Sequence, residues 1–284
     1  IIKYSKNKSY HLFKCNNSKY CINDVYVDSK NRIWFVYDGI GVIENNKVIY
    51  YSAKDNQVLQ KCQNITEDNN GVISISTSHP GVIKLNGLNY SIKYLPKSLI
   101  NKYLDYIFYD SNGTEWLGTR NGYLKYDKKQ HILYKDSLGN MSDYSGSICE
   151  NKNGIIWLGS TDGIIKAKGD SLTKYNEEQG LSHSEINNLV IDKNQNIWVN
   201  TYNGLNLFSL ATQKNNNYTS KNTLFDVFNE NDGYVSTGYN SGSGIVTDSF
   251  GNIYVGDRAK IHVIQPESKD LIPPIMELYS IKLF

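Results

Sequence analysis

Apolar and polar residues alternate along much of this chain in runs of four to six, and clusters of Asp, Asn and Gly separate the runs. A period of two places alternate side chains on opposite faces of a strand, so the pattern predicts short β-strands joined by tight turns. Residues 110–127 show the unit most clearly. A polar turn (Asp110, Asn112, Gly113) leads into a strand (Glu115 to Thr119), then a two-residue hairpin signal (Asn121-Gly122), then a second strand (Tyr123 to Tyr126). Asn-Gly suits a type I′ turn, whose two central residues both need positive φ. Helical periodicity is scarce; only the connection from Lys97 to Tyr106 admits a turn of helix.

The unit repeats. Trp34, Trp116, Trp157 and Trp198 stand in one frame, with Ser74 and Tyr254 at the equivalent place in two divergent copies, at intervals of 40, 42, 41, 41 and 56 residues. Six positions before each anchor stands Asp28, Asp68, Asp110, Asn151, Asp192 or Asp248, and three before it Asn31, Gly71, Gly113, Gly154, Gln195 or Gly251. A carboxylate or amide accepts backbone N–H groups just ahead of it, and Gly or Asn relieves a left-handed residue, so the two columns describe a turn. An apolar run precedes the turn as strand one, and the anchor lies on strand two. Strand three follows a column of Gly41, Gly81, Gly122, Gly163 and Gly204, with Lys260 in the sixth copy, and a fourth run such as Val48 to Tyr51 ends the unit. Four antiparallel strands per ~40 residues make the blade of a β-propeller, because a lone sheet must stack on neighbours to bury both faces. Ser74 in place of Trp is expected to leave blade two the least well packed.

The chain therefore reads as all-β, a propeller over residues 1–271 with six visible repeats and six or seven blades. Ile1 to Ser5 and Tyr10 to Lys14 read as strands three and four of a blade lacking its first half; they either complete the last blade or are the remnant of a seventh. Thr223 to Ser243 reads as a long loop, and residues 272–284 as a linker and the first strand of a following β-sandwich. The start at Ile1 reads as a segment of something longer.

Composition narrows the function classes. The formal charge is +2, from 30 basic and 28 acidic residues, which gives no general drive toward nucleic acid or an anionic membrane. Mean hydropathy is −0.49 and no apolar run approaches a membrane span. Cys15, Cys21, Cys62 and Cys149 show no metal-ligand spacing, and Cys62 and Cys149 fall at strands as small buried hydrophobes. No cofactor or metal is expected. His11, His79, His131, His183 and His262 are scattered, without Ser or Cys in a nucleophile frame. The Asp column is a repeated turn, whereas catalysis needs one differentiated carboxylate pair. Tyr is abundant, at 23 residues against 8 Phe and 4 Trp.

Turns between strands two and three emerge at one end of the blades and the Asp turns at the other. The first end carries Tyr37, Asp38, His79, Arg120, Asn121, Asp162, Tyr202, Asn203 and Arg258, with interblade residues such as His183 and Tyr234. Aromatic rings, amides and guanidinium groups of this kind suit a sugar, although turn formation and solvation account for most of them equally well.

The segments WLGTRNGYLKYD, WLGSTDGIIKAK and WVNTYNGLNLF, each preceded by D/N-x-x-G/Q-x-x, resemble the two-component regulator propeller repeat. IPPIMELYSIKLF resembles the entry to the immunoglobulin-like domain that follows such propellers. The resemblance implies a seven-bladed propeller, the second of two, in the periplasmic sensor region of a Bacteroides-type hybrid histidine kinase that responds to carbohydrate. It further implies a sister propeller and immunoglobulin-like domain in the same chain, a homodimeric receptor, and kinase chemistry outside these residues. A pure dimerisation scaffold and a glycan-active hydrolase or lyase are the alternatives. Blade two (Ser74, His79-Pro80) and blade six (Asp257, Lys260) depart from the pattern.

Overall fold

The computed structural model describes residues 2–5, 8–11, 22–36, 39–45, 47–52, 62–78, 81–87, 89–95, 104–119, 122–126, 131–134, 145–209, 223–232, 234, 244–248, 250–256 and 261–265. Two compact units divide the chain, Ile1–Met141 and Ser142–Phe284. The first holds three four-stranded antiparallel blades. Blade one is Asp24–Val27, Ile33–Val36, Gly39–Glu44 and Lys47–Ser52; blade two is Cys62–Glu67, Ile73–Thr77, Gly81–Asn86 and Asn89–Tyr94; blade three is Leu104–Tyr109, Glu115–Thr119, Gly122–Tyr126 and His131–Tyr134. The second unit holds blade four (Ser145–Glu150, Ile156–Ser160, Gly163–Lys168, Ser171–Tyr175), blade five (Ile186–Ile191, Ile197–Thr201, Gly204–Phe208, Asp226–Phe228) and three strands of blade six (Ile245–Thr247, Ile253–Gly256, Ile261–Ile264). Each is a meander in chain order, as the repeat predicts. The fold is an all-β propeller.

The Asp column builds each blade at the turn from strand one to strand two. In blade three, Asp110 Oδ1 accepts the N–H groups of Asn112 and Thr114 while Oδ2 accepts the indole N–H of Trp116 at 2.9 Å. Asp28 holds Trp34 in the same way at 2.8 Å and Asp192 holds Trp198 at 3.0 Å, and Asp248 takes the Tyr254 hydroxyl at 3.0 Å. In these four blades both oxygens of the carboxylate are thus committed to architecture, which leaves neither for catalysis. Burial opposes the charge on Asp28, but donation from Trp34 and Arg32 holds its carboxyl below the usual range.

Blade four breaks the column chemically. Asn151 Oδ1 still accepts the N–H groups of Asn153 and Ile155, so its NH2 faces the place where the carboxylate oxygen should be. Asn151 Nδ2 and Trp157 Nε1 are both buried donors without acceptors. Turning the amide over does not help, since its single oxygen cannot serve the turn and the indole together. Asn151→Asp is expected to stabilise the chain by about 1–2 kcal/mol in urea unfolding at pH 7, because each stranded buried donor costs on the order of 1–3 kcal/mol. The new carboxylate gains donors on folding, which depresses its pKa, so the gain is present above pH ~4 and disappears as pH falls further.

Apolar clusters fill the spaces between successive blades within each unit. Trp34, Val36 and Ile40 of blade one pack with Ile73, Ile75, Ile83 and Leu85 of blade two, and Trp157 and Ile164 of blade four with Ile197, Val199 and Phe208 of blade five. A polar relay runs beside them. Bulges in strand one free a backbone N–H, and the preceding blade satisfies it: Ile65 N–H donates to Asp24 Oδ2 (2.8 Å), Ile107 N–H to Asn64 Oδ1 (3.1 Å) and Leu189 N–H to Ser147 Oγ (2.6 Å).

Three expectations need correction. Gly122, Gly163 and Gly204 are not turn residues; they pair with Thr119, Ser160 and Thr201, and the two-residue loops are Thr161-Asp162 and Tyr202-Asn203. Glycine is required there because a Cβ on Gly163 or Gly204 would run into the carbonyl of Tyr175 or Phe228 on strand four. In blade one, strand three opens at Gly39, and Gly41 instead makes room for the Phe35 ring. Residues 223–243 are not all loop: Asp226–Phe228 pairs with Leu205 to Leu207 as strand four of blade five, and Glu230–Asp232 forms a 3-10 turn. Of the connection from Lys97 to Tyr106, where a turn of helix is expected, only Leu104 onward is described, as the start of strand Leu104–Tyr109, and the rest lies outside the described residues; a capped 3-10 turn forms at Glu177–Gln179. At the N-terminus Ile2–Ser5 and Lys8–His11 pair with each other as a two-stranded sheet. The 272–284 strand, Cys15 and Cys21 lie outside the described residues.

Candidate functional site

Of the nine residues the sequence puts forward, three are described. Asp162 forms an ion pair with Lys174 on strand four of its own blade. Tyr202 is 39% exposed and its ring lies 5.3 Å from that of His183, in the connection leading into the same blade. Asn203 donates its backbone N–H to Thr201 Oγ1 at 3.2 Å, and its side chain reaches Ser182 O at 3.5 Å. Buried Asn206 ties this corner down, accepting Ser182 N–H at 2.8 Å and donating to Ser182 Oγ at 2.9 Å. Tyr202, Asn203 and His183 are therefore brought together on blade five, while Asp162 is engaged by Lys174. Tyr37, Asp38, His79, Arg120, Asn121 and Arg258 lie outside the described residues.

A second arrangement stands at the opposite end of the blades, where the Asp turns lie. Between blades two and three is a cavity of about 290 Å3, bordered by Asp68, Lys84, Lys93, Tyr109, Glu115 and Tyr126, with Asn69, Asn70 and Asn112 from the turns. Its wall residue Tyr109 reaches Ser74, the one described anchor without a ring. Ser74 is fully buried and its hydroxyl hydrogen-bonds the Tyr109 hydroxyl at 2.9 Å. Lys84 Nζ donates to Tyr109 Oη at 3.0 Å and lies 3.4 Å from Glu115 Oε2, and Lys93 Nζ lies 3.2 Å from Glu115 Oε1. Lys93 also caps the Tyr126 ring at 4.2 Å. Burial alone would lower the Lys84 pKa, but Tyr109 and Glu115 hold it above the ordinary lysine value. The Tyr109 phenol is pushed up, first by burial and then by the Glu115 charge.

Residues 180–203, from the end of the 3-10 turn in blade four's exit through the Trp198 strand, match the family described as two component regulator propeller. This stretch is a two-component regulator propeller repeat. A search of curated proteins gives no match. Among solved structures, the extracellular domain assigned to the hybrid two component system BT3049 of B. thetaiotaomicron superposes with a TM-score of 0.67 at 23% identity, over 87% of this chain and 33% of that one. The extracellular domain assigned to BT4673 of the same organism gives 0.59 at 15% identity, over 100% and 46%. Virginiamycin B lyase from Staphylococcus aureus gives 0.72 at 13% identity, over 93% and 85%. The chain thus spans a third to a half of the two-component structures, and at these identities the likeness establishes the propeller fold.

The repeated frame also explains which residues are unavailable for chemistry. In blades one, three, five and six the Asp and ring columns bond to each other, and in blades two to five the strand-two Thr or Ser hydroxyls donate to the strand-three glycine carbonyls (Thr77 to Gly81, Thr119 to Gly122, Ser160 to Gly163, Thr201 to Gly204). Burial pushes the Cys62 thiol up to about 12 and the Cys149 thiol well above its usual value, so neither is a nucleophile at neutral pH. Among the described residues no group of three or more His, Cys, Asp and Glu is arranged to hold a metal, and no helix is long and apolar enough to cross a membrane. Sequence reasoning passed over Lys84, Lys93, Tyr109 and Glu115. The available signal was Lys84 itself, which stands cross-strand from Ser74 as Lys125 does from Trp116 and Lys166 from Trp157.

Proposed function

We propose that this chain is an extracytoplasmic, ligand-sensing propeller of a hybrid two-component sensor histidine kinase, that it takes a carbohydrate, and that it does no chemistry itself. The repeat at residues 180–203 carries this reading, supported by the two structures named as extracellular domains of hybrid two component systems. Binding acts on the signal by favouring one of two domain or dimer arrangements, and it shifts that equilibrium only as far as its affinities for the two differ. A second reading, a propeller lyase or hydrolase, is favoured by the TM-score of 0.72 to virginiamycin B lyase over most of both chains. Calorimetric titration with an oligosaccharide panel, followed by chromatography of the recovered ligand, separates the two. Saturable heat with the ligand recovered intact is the expected result; a shortened or unsaturated product overturns the sensing reading, and silence across the panel leaves a scaffold.

A further inference from the structure

Blade two keeps the surroundings of the missing ring and omits the ring. Asp68 still closes its turn through Oδ1, which accepts Asn70 N–H and Val72 N–H at 2.9 Å each. Its Oδ2, the oxygen that takes an indole or phenol in four other blades, accepts no hydrogen bond among the described residues, and Asp68 borders the cavity. Tyr109 reaches in from blade three and takes over the lysine, which lies 5.2 Å from its ring centroid. Space for about 290 Å3 remains beyond it, toward the exposed Asn69, Asn70 and Asn112 of the turns.

We infer that this cavity between blades two and three binds a small, neutral, hydroxyl-bearing ring of monosaccharide size. The charges of its wall select neutrality: two ammonium groups, Lys84 and Lys93, balance two carboxylates, Glu115 and Asp68. An anion meets the carboxylates and a cation the lysines. Asp68 Oδ2 is open to a donor, whereas each ammonium has three protons and spends them on one or two partners, so it retains one for an acceptor. A hydroxyl group supplies both functions. The Tyr109 and Tyr126 rings offer apolar faces for the ring carbons. The biological meaning of the site rests on the carbohydrate-sensing reading; the binding itself does not.

The test is calorimetry of the whole chain with glucose, galactose, myo-inositol, glucuronate and glucosamine, repeated on Ser74→Trp, which restores the ring, and on Lys93→Gln, at a half-exposed position that leaves folding intact. At least one neutral ring is expected to bind, with at least tenfold weaker affinity in both variants and unchanged far-UV circular dichroism in Lys93→Gln. Equal binding by myo-inositol and a hexose also supports the inference, as recognition of hydroxyls. Wild-type affinity in folded Lys93→Gln places the site elsewhere and leaves the sensing reading standing. Tighter binding of glucuronate or glucosamine than of any neutral ring overturns the inference, as does silence with all five. Silence with these five alone leaves the sensing reading standing; it falls if longer oligosaccharides are silent too or are recovered as shortened or unsaturated products.

Discussion

Trp116→Ala lowers the unfolding free energy by about 3–5 kcal/mol, read from urea denaturation, the cost of removing a large buried ring that its surroundings cannot collapse to fill. Trp116 is 2% exposed, its indole N–H donates to Asp110, and Lys125 lies over its ring at 5.5 Å. Alanine leaves a void on strand two and strips buried Asp110 Oδ2 of its donor, so a transfer loss and a desolvation loss add. Trp116→Phe separates them. It keeps most of the ring and loses the hydrogen bond, so its expected cost is about 1–2 kcal/mol. Equal costs for the two variants would remove the ring's burial from the account, and a cost near zero in Trp116→Phe would remove the hydrogen bond.

Asp24→Asn changes the pH dependence of stability between pH 4 and 7. Burial raises the Asp24 carboxyl from 3.8 to about 6, against the opposing bonds from Ile65 N–H, Val25 N–H and the Asn64 amide. Between those two values the folded chain holds a proton that the unfolded chain has released. Stability therefore falls as pH rises through the window, by at most ~3 kcal/mol when the whole shift is integrated. Asp28 and Asp248, held below their usual values, act in the opposite sense and only at lower pH, as their carboxylates protonate. Urea midpoints of wild type and Asp24→Asn at pH 4.5 and 7 isolate the term. The wild type is expected to lose more stability over that interval than the variant; parallel curves would mean that Asp24 is ionised at both pH values in the folded chain.

The architecture was largely legible because propeller repeats write their contacts locally. Asp110 and Trp116 are six residues apart and bond to each other, so the spacing of the two columns in the sequence is the geometry of the turn. The glycine column was found but misread, since its reason is the carbonyl of strand four, some twelve or more residues away, which no turn rule contains. Strand four of blade five escaped notice because Asp226–Phe228 is only three residues long and follows an extended polar stretch. Asn151 was grouped with the aspartates by shape, and only the stranded indole of Trp157 shows that one atom exchange reverses its chemistry. For function the sequence directed attention to the opposite end of the blades from the cavity. It ranked exposed turn residues, of which Asp162 is engaged with Lys174 and Tyr202 with His183, and treated Ser74 as a packing defect. The cavity between blades two and three draws its walls from strands and turns of both, so its composition is dispersed from Asp68 to Tyr126 along the chain.

Hydrogen–deuterium exchange of the wild-type chain, with and without a saccharide that gives heat in calorimetry, decides which end of the blades carries the ligand. Protection is expected in peptides covering residues 68–74, 84–93 and 109–115, at the Asp-turn end of blades two and three. Protection confined instead to residues 160–163 and 201–204, at the strand two to three turns, would contradict the account.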